Sequence, residues 1–125
     1  MTISELVDRA HMNAVEHGFW DPGPDFGTSI ALIHSELSEA LEEMRVGNKI
    51  RPGQPTPTVY YGGGGYVASA PTKCCTKPEG VAIELADAVI RIADLCGHMG
   101  IDLEDAIALK MEYNQGRPHK HGKLF

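Results

Sequence analysis

From Val81 to Cys96 every residue is Val, Ala, Ile, Leu or Cys except Glu84, Asp87, Arg91 and Asp94, and with His98 these polar positions recur at steps of three and four. Only an α-helix gathers that spacing on one side, because each residue turns the chain by about 100°. The run predicts a helix over about 79–98, apolar on most of its circumference and lying centrally. A charged stripe on such a helix needs an opposite surface that can receive it.

That surface is offered by a second helical run, which carries Glu36 and Glu39 at the same i, i+3 spacing as Glu84 and Asp87. Each pair projects from one helix face about one turn apart. Facing each other, the helices would bring four carboxylates together. Ionised groups that close repel unless a cation sits among them, and oxygen-only ligands favour a hard ion, magnesium first and manganese as its substitute. Glu36, Glu39, Glu84 and Asp87 are therefore the candidate metal ligands.

The other periodic stretches complete a four-helix reading. A first helix is expected from about Ser4 to Glu16, with Leu6, Val7, Ala10, Ala14 and Val15 apolar and Gly18 ending it. The segment FWDPGPDFG follows as a loop. The second helix is expected from an N-cap at Thr28 or Ser29 to about Val46, with Ile30, Ile33, Leu37, Leu41 and Met44 inward. The fourth is capped by Asp102, turns Leu103, Ile107 and Met111 inward and ends at Gly116 and Pro118.

Between helices two and three lies an insertion, about 48–79, holding five of the eight prolines and four consecutive glycines at 62–65. It cannot be helix. Thr58 to Tyr61 and Tyr66 to Ser69 fit a short hairpin around a glycine turn, with an irregular loop as the equal alternative. No Gly-Lys-Ser/Thr and no strand-turn-helix context make it a phosphate-binding loop. The class expected is all-α, a four-helix-bundle-like architecture with this Gly/Pro-rich insertion, in one domain over residues 1–125.

No stretch has the 18 apolar residues of a membrane span, and the N-terminus, with acids throughout, is not a targeting peptide. Three cysteines, Cys74, Cys75 and Cys96, form no disulfide framework, which fits a reducing, cytoplasmic location. Zinc is disfavoured because Cys74 and Cys75 would need distant histidines. A di-iron carboxylate site is excluded because none of the six histidines has Glu three residues before it.

The net charge of −6 conceals an asymmetry: residues 110–125 hold four Lys or Arg against the single acid Glu112. With no extended basic face, duplex nucleic acid is not an expected partner. A small phosphorylated ligand, bridged by a cation to the acids and contacted by the basic ending, fits this distribution, as a solvated tail also does.

The runs HSELSEALEE (34–43) and ELADAVIRIADL (84–95), with the ending KMEYNQGRPHKHGK (110–123), resemble the MazG-like all-α nucleoside triphosphate pyrophosphohydrolases over about three quarters of the chain. The resemblance implies a magnesium-dependent hydrolase that cuts a nucleoside triphosphate between the α and β phosphates. It implies metal binding by Glu36, Glu39, Glu84 and Asp87 and phosphate contacts by Lys110, Asn114 and Arg117. Glu39 and Lys110 are the expected catalytic groups, Glu39 bridging metal or orienting water and Lys110 stabilising the leaving pyrophosphate beside Arg117. The long insertion departs from the family's short connector. A phosphoribosyl-ATP pyrophosphatase-like enzyme shares this chemistry, and a bundle that binds metal or nucleotide without turnover is the reading from another class.

His34 projects from a different face than Glu36, at the pocket rim or simply on the surface. Trp20, with Phe19 and Phe26, flanks the loop before helix two, where an aromatic can stack on a base or close the end of the bundle. Arg91 and Asp94 are expected to make ion pairs with a neighbouring helix or subunit. Helix three is too apolar for three short partners to cover, so a homodimer or higher homo-oligomer is expected.

Overall fold

The computed structural model describes residues 1–47, 59–61, 65–67 and 77–123. Among them are four α-helices, α1 (Ile3–Glu16), α2 (Phe26–Arg45), α3 (Val81–Met99) and α4 (Leu103–Gln115), as the periodicity implied. Three short strands, β1 (Val59–Tyr61), β2 (Gly65–Val67) and β3 (Pro78–Glu79), lie in the insertion between α2 and α3, and a 3₁₀ turn spans His119–Gly122. The chain forms two compact units, Met1–Asp21 with Ala93–Phe125, and Pro22–Ile92.

In the first unit, α1 starts one residue before the expected Ser4 because Thr2 and Glu5 form a reciprocal capping box. The Glu5 amide donates to Thr2 Oγ1 at 3.1 Å and the Thr2 amide to Glu5 Oε2 at 2.9 Å. A second carboxylate reaches the same helix start, with Ile3 N and Ser4 Oγ donating to Glu104 of α4 at 3.2 and 3.0 Å. Negative charge there opposes the positive end of the helix dipole. Val7 and Ala10 of α1 pack with Ala93 and Cys96 of α3, and Ile3, Leu6 and Leu103 close around them. Gly97 makes this contact possible: a Cβ on it would lie 2.5 Å from His11 Cβ. The first turn of α4 joins this core through Leu103, whereas Met111, expected inward, is 61% exposed.

In the second unit, α2 is capped by Asp25, whose carboxylate accepts from the Thr28 amide at 2.7 Å. The cap expected at Thr28 or Ser29 is thus one turn too late, and Ser29 is buried inside the helix. An ionised Asp accepts more strongly than a hydroxyl at the positive end of a helix. The face expected to form the core is also displaced. Leu37, Leu41 and Met44 are exposed, and the buried positions of α2 are Ser29, Glu36 and Ala40. On α3, Val81, Glu84 and Ala88 are buried while Leu85, Val89 and Ile90 face solvent. α2 thus buries Glu36 and α3 buries Glu84, while Leu37, Leu41, Leu85 and Val89 stay exposed.

The strands pair antiparallel in the order β2-β1-β3, with Val59 opposite Val67, Tyr61 opposite Gly65 and Tyr60 opposite Glu79. Among the described residues the expected hairpin is present as the antiparallel pair Val59–Tyr61 and Gly65–Val67. β3 was not foreseen, since Pro78-Glu79 carries no strand pattern. Thr58, Gly62 to Gly64, Ala68, Ser69, Cys74 and Cys75 lie outside the described residues. Among the described residues no helix is long and apolar enough to cross a membrane.

Candidate metal centre

Glu36 and Glu39 stand one turn apart on α2, and Glu84 and Asp87 one turn apart on the first half of α3, all within the second unit. The structure brings three of these acids together. One carboxylate oxygen from each of Glu36, Glu39 and Glu84 lies within 4.8 Å of the other two, the one such group of His, Cys, Asp or Glu among the described residues. Glu36 and Glu84 are buried, at 8% and 4% exposure, and Glu39 is open to solvent. The group has two walls and a mouth. Donor oxygens on one divalent ion sit at roughly 2.0–2.6 Å from it, hence up to about 5 Å from each other, so the spacing suits a hard cation.

Electrostatics agree with the geometry. Burial, then a hydrogen bond with Glu39, then the charges of Glu39, Asp87 and Glu36 push the Glu84 carboxyl up to about 7. The Asp87 carboxyl is also raised, by burial and by Glu36, with Arg91 and Lys77 acting against the rise. Asp87 is half-buried and close enough to feel both α2 acids, although it is not one of the three clustered groups. Without a metal, the site lowers its repulsion by keeping a proton between Glu84 and Glu39 and by an ion pair. Arg91 Nε donates to Glu36 Oε1 at 2.6 Å. The expected partner of Arg91 on a neighbouring helix is thus found inside the acidic centre itself. Acids raised by burial and by one another are the ones from which a bound divalent cation removes protons.

The remaining candidates belong to other surroundings. His34 is exposed on α2. Lys110, Asn114 and Arg117 lie in the first unit. Lys110 Nζ is 4.8 Å from the centroid of the Tyr113 ring and Arg117 Cζ is 5.3 Å from it, so both cations lie against the same aromatic ring. Asn114 Oδ1 is buried with no hydrogen-bond partner among the described residues.

Trp20 stacks on His98, with ring centroids 3.7 Å apart and planes inclined by 7°. Its indole N–H donates to Asp94 Oδ1 at 2.9 Å, and His11 Nδ1 lies 2.9 Å from the same oxygen. An ionised carboxylate only accepts, so the His11 proton sits on Nδ1. This network was not read from the sequence. Its signal was Asp94, which continues the α3 stripe seven residues after Asp87. His11 carries no local pattern that would mark it as a partner.

Comparison of the chain with protein-family models, with curated proteins and with solved structures found no match.

Proposed function

We propose that this protein is a magnesium-dependent nucleoside triphosphate pyrophosphohydrolase, releasing a nucleoside monophosphate and pyrophosphate. The observation that carries the reading is the convergence of Glu36, Glu39 and Glu84 from two helices onto a space the size of one hard cation. The resemblance of the three sequence runs to MazG-like enzymes supplies the reaction. Glu36, Glu84 and, as the resemblance implies, Asp87 would hold the metal, and Glu39, the exposed member, would be a further ligand or orient the attacking water. A divalent ion held there would neutralise the polyphosphate and lower the pKa of water, with manganese the expected substitute.

In the reaction, the water oxygen bonds to the α-phosphorus and the bond from that phosphorus to the α,β-bridging oxygen breaks. The monophosphate keeps the new oxygen, pyrophosphate leaves with the bridging one, and the water's proton passes to Glu39 or solvent. The resemblance implies phosphate contacts by Lys110, as a point charge, and Arg117, as a planar fork, with Asn114 as a hydrogen-bonding partner. Trp20 is the aromatic candidate for a base and His34 a candidate for its edge. A role in clearing unwanted nucleotides from the pool follows from this chemistry.

A second copy of the chain is the proposed cover for the outward apolar side chains. Leu37 and Leu41 of α2 are 47% and 55% exposed and Val89 of α3 is 49% exposed, more than an isolated chain would leave wet.

The test is turnover of a panel of ribo- and deoxyribonucleoside triphosphates with magnesium, with Glu39→Gln as control. Pyrophosphate formation that needs magnesium and is lost in the variant is the expected result. Absence of turnover on every substrate would leave a binding protein, and activity surviving in Glu39→Gln or in excess chelator would remove the metal mechanism.

A further inference from the structure

Arg91 is placed unlike an ordinary surface cation. Its guanidinium bonds to Glu36 Oε1 at 2.6 Å, and Glu36 is one of the three acids that converge. The Glu36 side chain is only 10% exposed, while that of Arg91 is 42% exposed, so the pair is anchored at the acid and open at the base. Arg91 also follows Asp87 by one helical turn, and its charge acts on the Asp87 carboxyl. The guanidinium therefore sits against the same carboxylates that a divalent ion would use.

We infer that Arg91 is a resident counter-cation that competes with the divalent ion for Glu36, so that the clustered acids are balanced by the protein's own charge whenever no divalent ion is bound. This rests on the metal-centre reading given above. A guanidinium cannot lose its proton near neutral pH, so it cannot withdraw by titration. It leaves only by turning away. When a divalent ion takes Glu36, the guanidinium loses its partner and, being nearly half exposed, is free to meet an anion arriving with the ion. The centre then binds a bare cation weakly and a cation accompanied by phosphate oxygens well, and by linkage each strengthens the other's binding. Arg91 is in this scheme a positioning residue.

The experiment is calorimetric titration of metal-free protein with manganese alone, on wild type, Arg91→Met, Arg91→Lys and the double variant Glu36→Gln with Glu39→Gln. Removing a positive charge a few ångströms from the ion, discounted for exposure and salt, should tighten manganese binding about tenfold in Arg91→Met. Arg91→Lys keeps the charge and should bind manganese within about twofold of wild type. Unchanged or weaker binding in Arg91→Met would overturn the inference, since a guanidinium that merely braces Glu36 would leave a poorer site when removed. Equal tightening in Arg91→Lys would overturn it as well, because charge would then not be the cause. The double acid variant separates the two readings: if it binds manganese as well as wild type does, the metal centre itself is wrong.

Discussion

The proton held at Glu84 makes a quantitative demand on stability. In the metal-free protein its carboxyl titrates near 7 instead of the ordinary 4.5, and the side chain is buried at 4% exposure. Between those values the native state keeps a proton that the unfolded chain has released, so stability is full below pH 4.5 and falls as pH rises through about 7. At about 1.4 kcal/mol for each pH unit of that window, the loss is at most about 3.5 kcal/mol. Glu84→Gln removes the ionisation while its amide still donates to Glu39. The measurement is urea unfolding in excess chelator from pH 4 to 8, with wild type and variant in parallel. The variant should gain on the wild type as pH rises and exceed it by roughly 2–3 kcal/mol at pH 8. Saturating manganese should then stabilise the wild type more than the variant. Two stability curves that run parallel from pH 4 to 8 in chelator would refute the reasoning.

Other expectations concern the first unit and the assembly. Gly97→Ala drives a methyl group to 2.5 Å from His11 Cβ, and thermal unfolding should show a loss of about 1–3 kcal/mol. Thr2→Ala removes the side-chain half of the α1 capping box and should cost about 1 kcal/mol in the same assay, while Thr2→Ser should not. Asp94→Asn deprives His11 and Trp20 of a charged acceptor; a loss of about 2 kcal/mol is expected, with a shift in the emission of Trp20, the sole tryptophan. Sedimentation at micromolar concentration should give at least twice the 13.5 kDa chain mass, and Leu41→Glu should reduce it. A mass of one chain for the wild type would exclude the homo-oligomer.

Much of this was legible in the sequence, and for a physical reason. Four stretches with helical period gave four helices, and Gly18, Gly47 and Gly116 stand where three of them end. The three clustered acids were legible too, although Asp87 was expected to join them, because i, i+3 spacing fixes a shared face whatever the packing. What periodicity could not supply was the sense in which that face turns. Leu37 and Leu41 were assigned to the core because apolar residues usually point inward, yet here Glu36 and Ala40 do. Carboxylates facing each other with Arg91 among them, and large apolar side chains left exposed, are an arrangement that a rule of burial by polarity does not foresee. Local capping was only half visible. Asp102 was recognised, but Thr2 and Asp25 were missed because each lies before the apolar pattern begins. The contact of His11 with Asp94 joins residues 83 apart, and no local rule pairs them.

The proposed reaction is attack by water at the α-phosphorus of a nucleoside triphosphate at a centre built on Glu36, Glu39 and Glu84. Turnover in ¹⁸O-labelled water with magnesium tests it most directly, with products separated and weighed by mass spectrometry. The label is expected in the nucleoside monophosphate, with none in pyrophosphate and no labelled product from Glu39→Gln. Label in the pyrophosphate, or release of inorganic phosphate in its place, would contradict it.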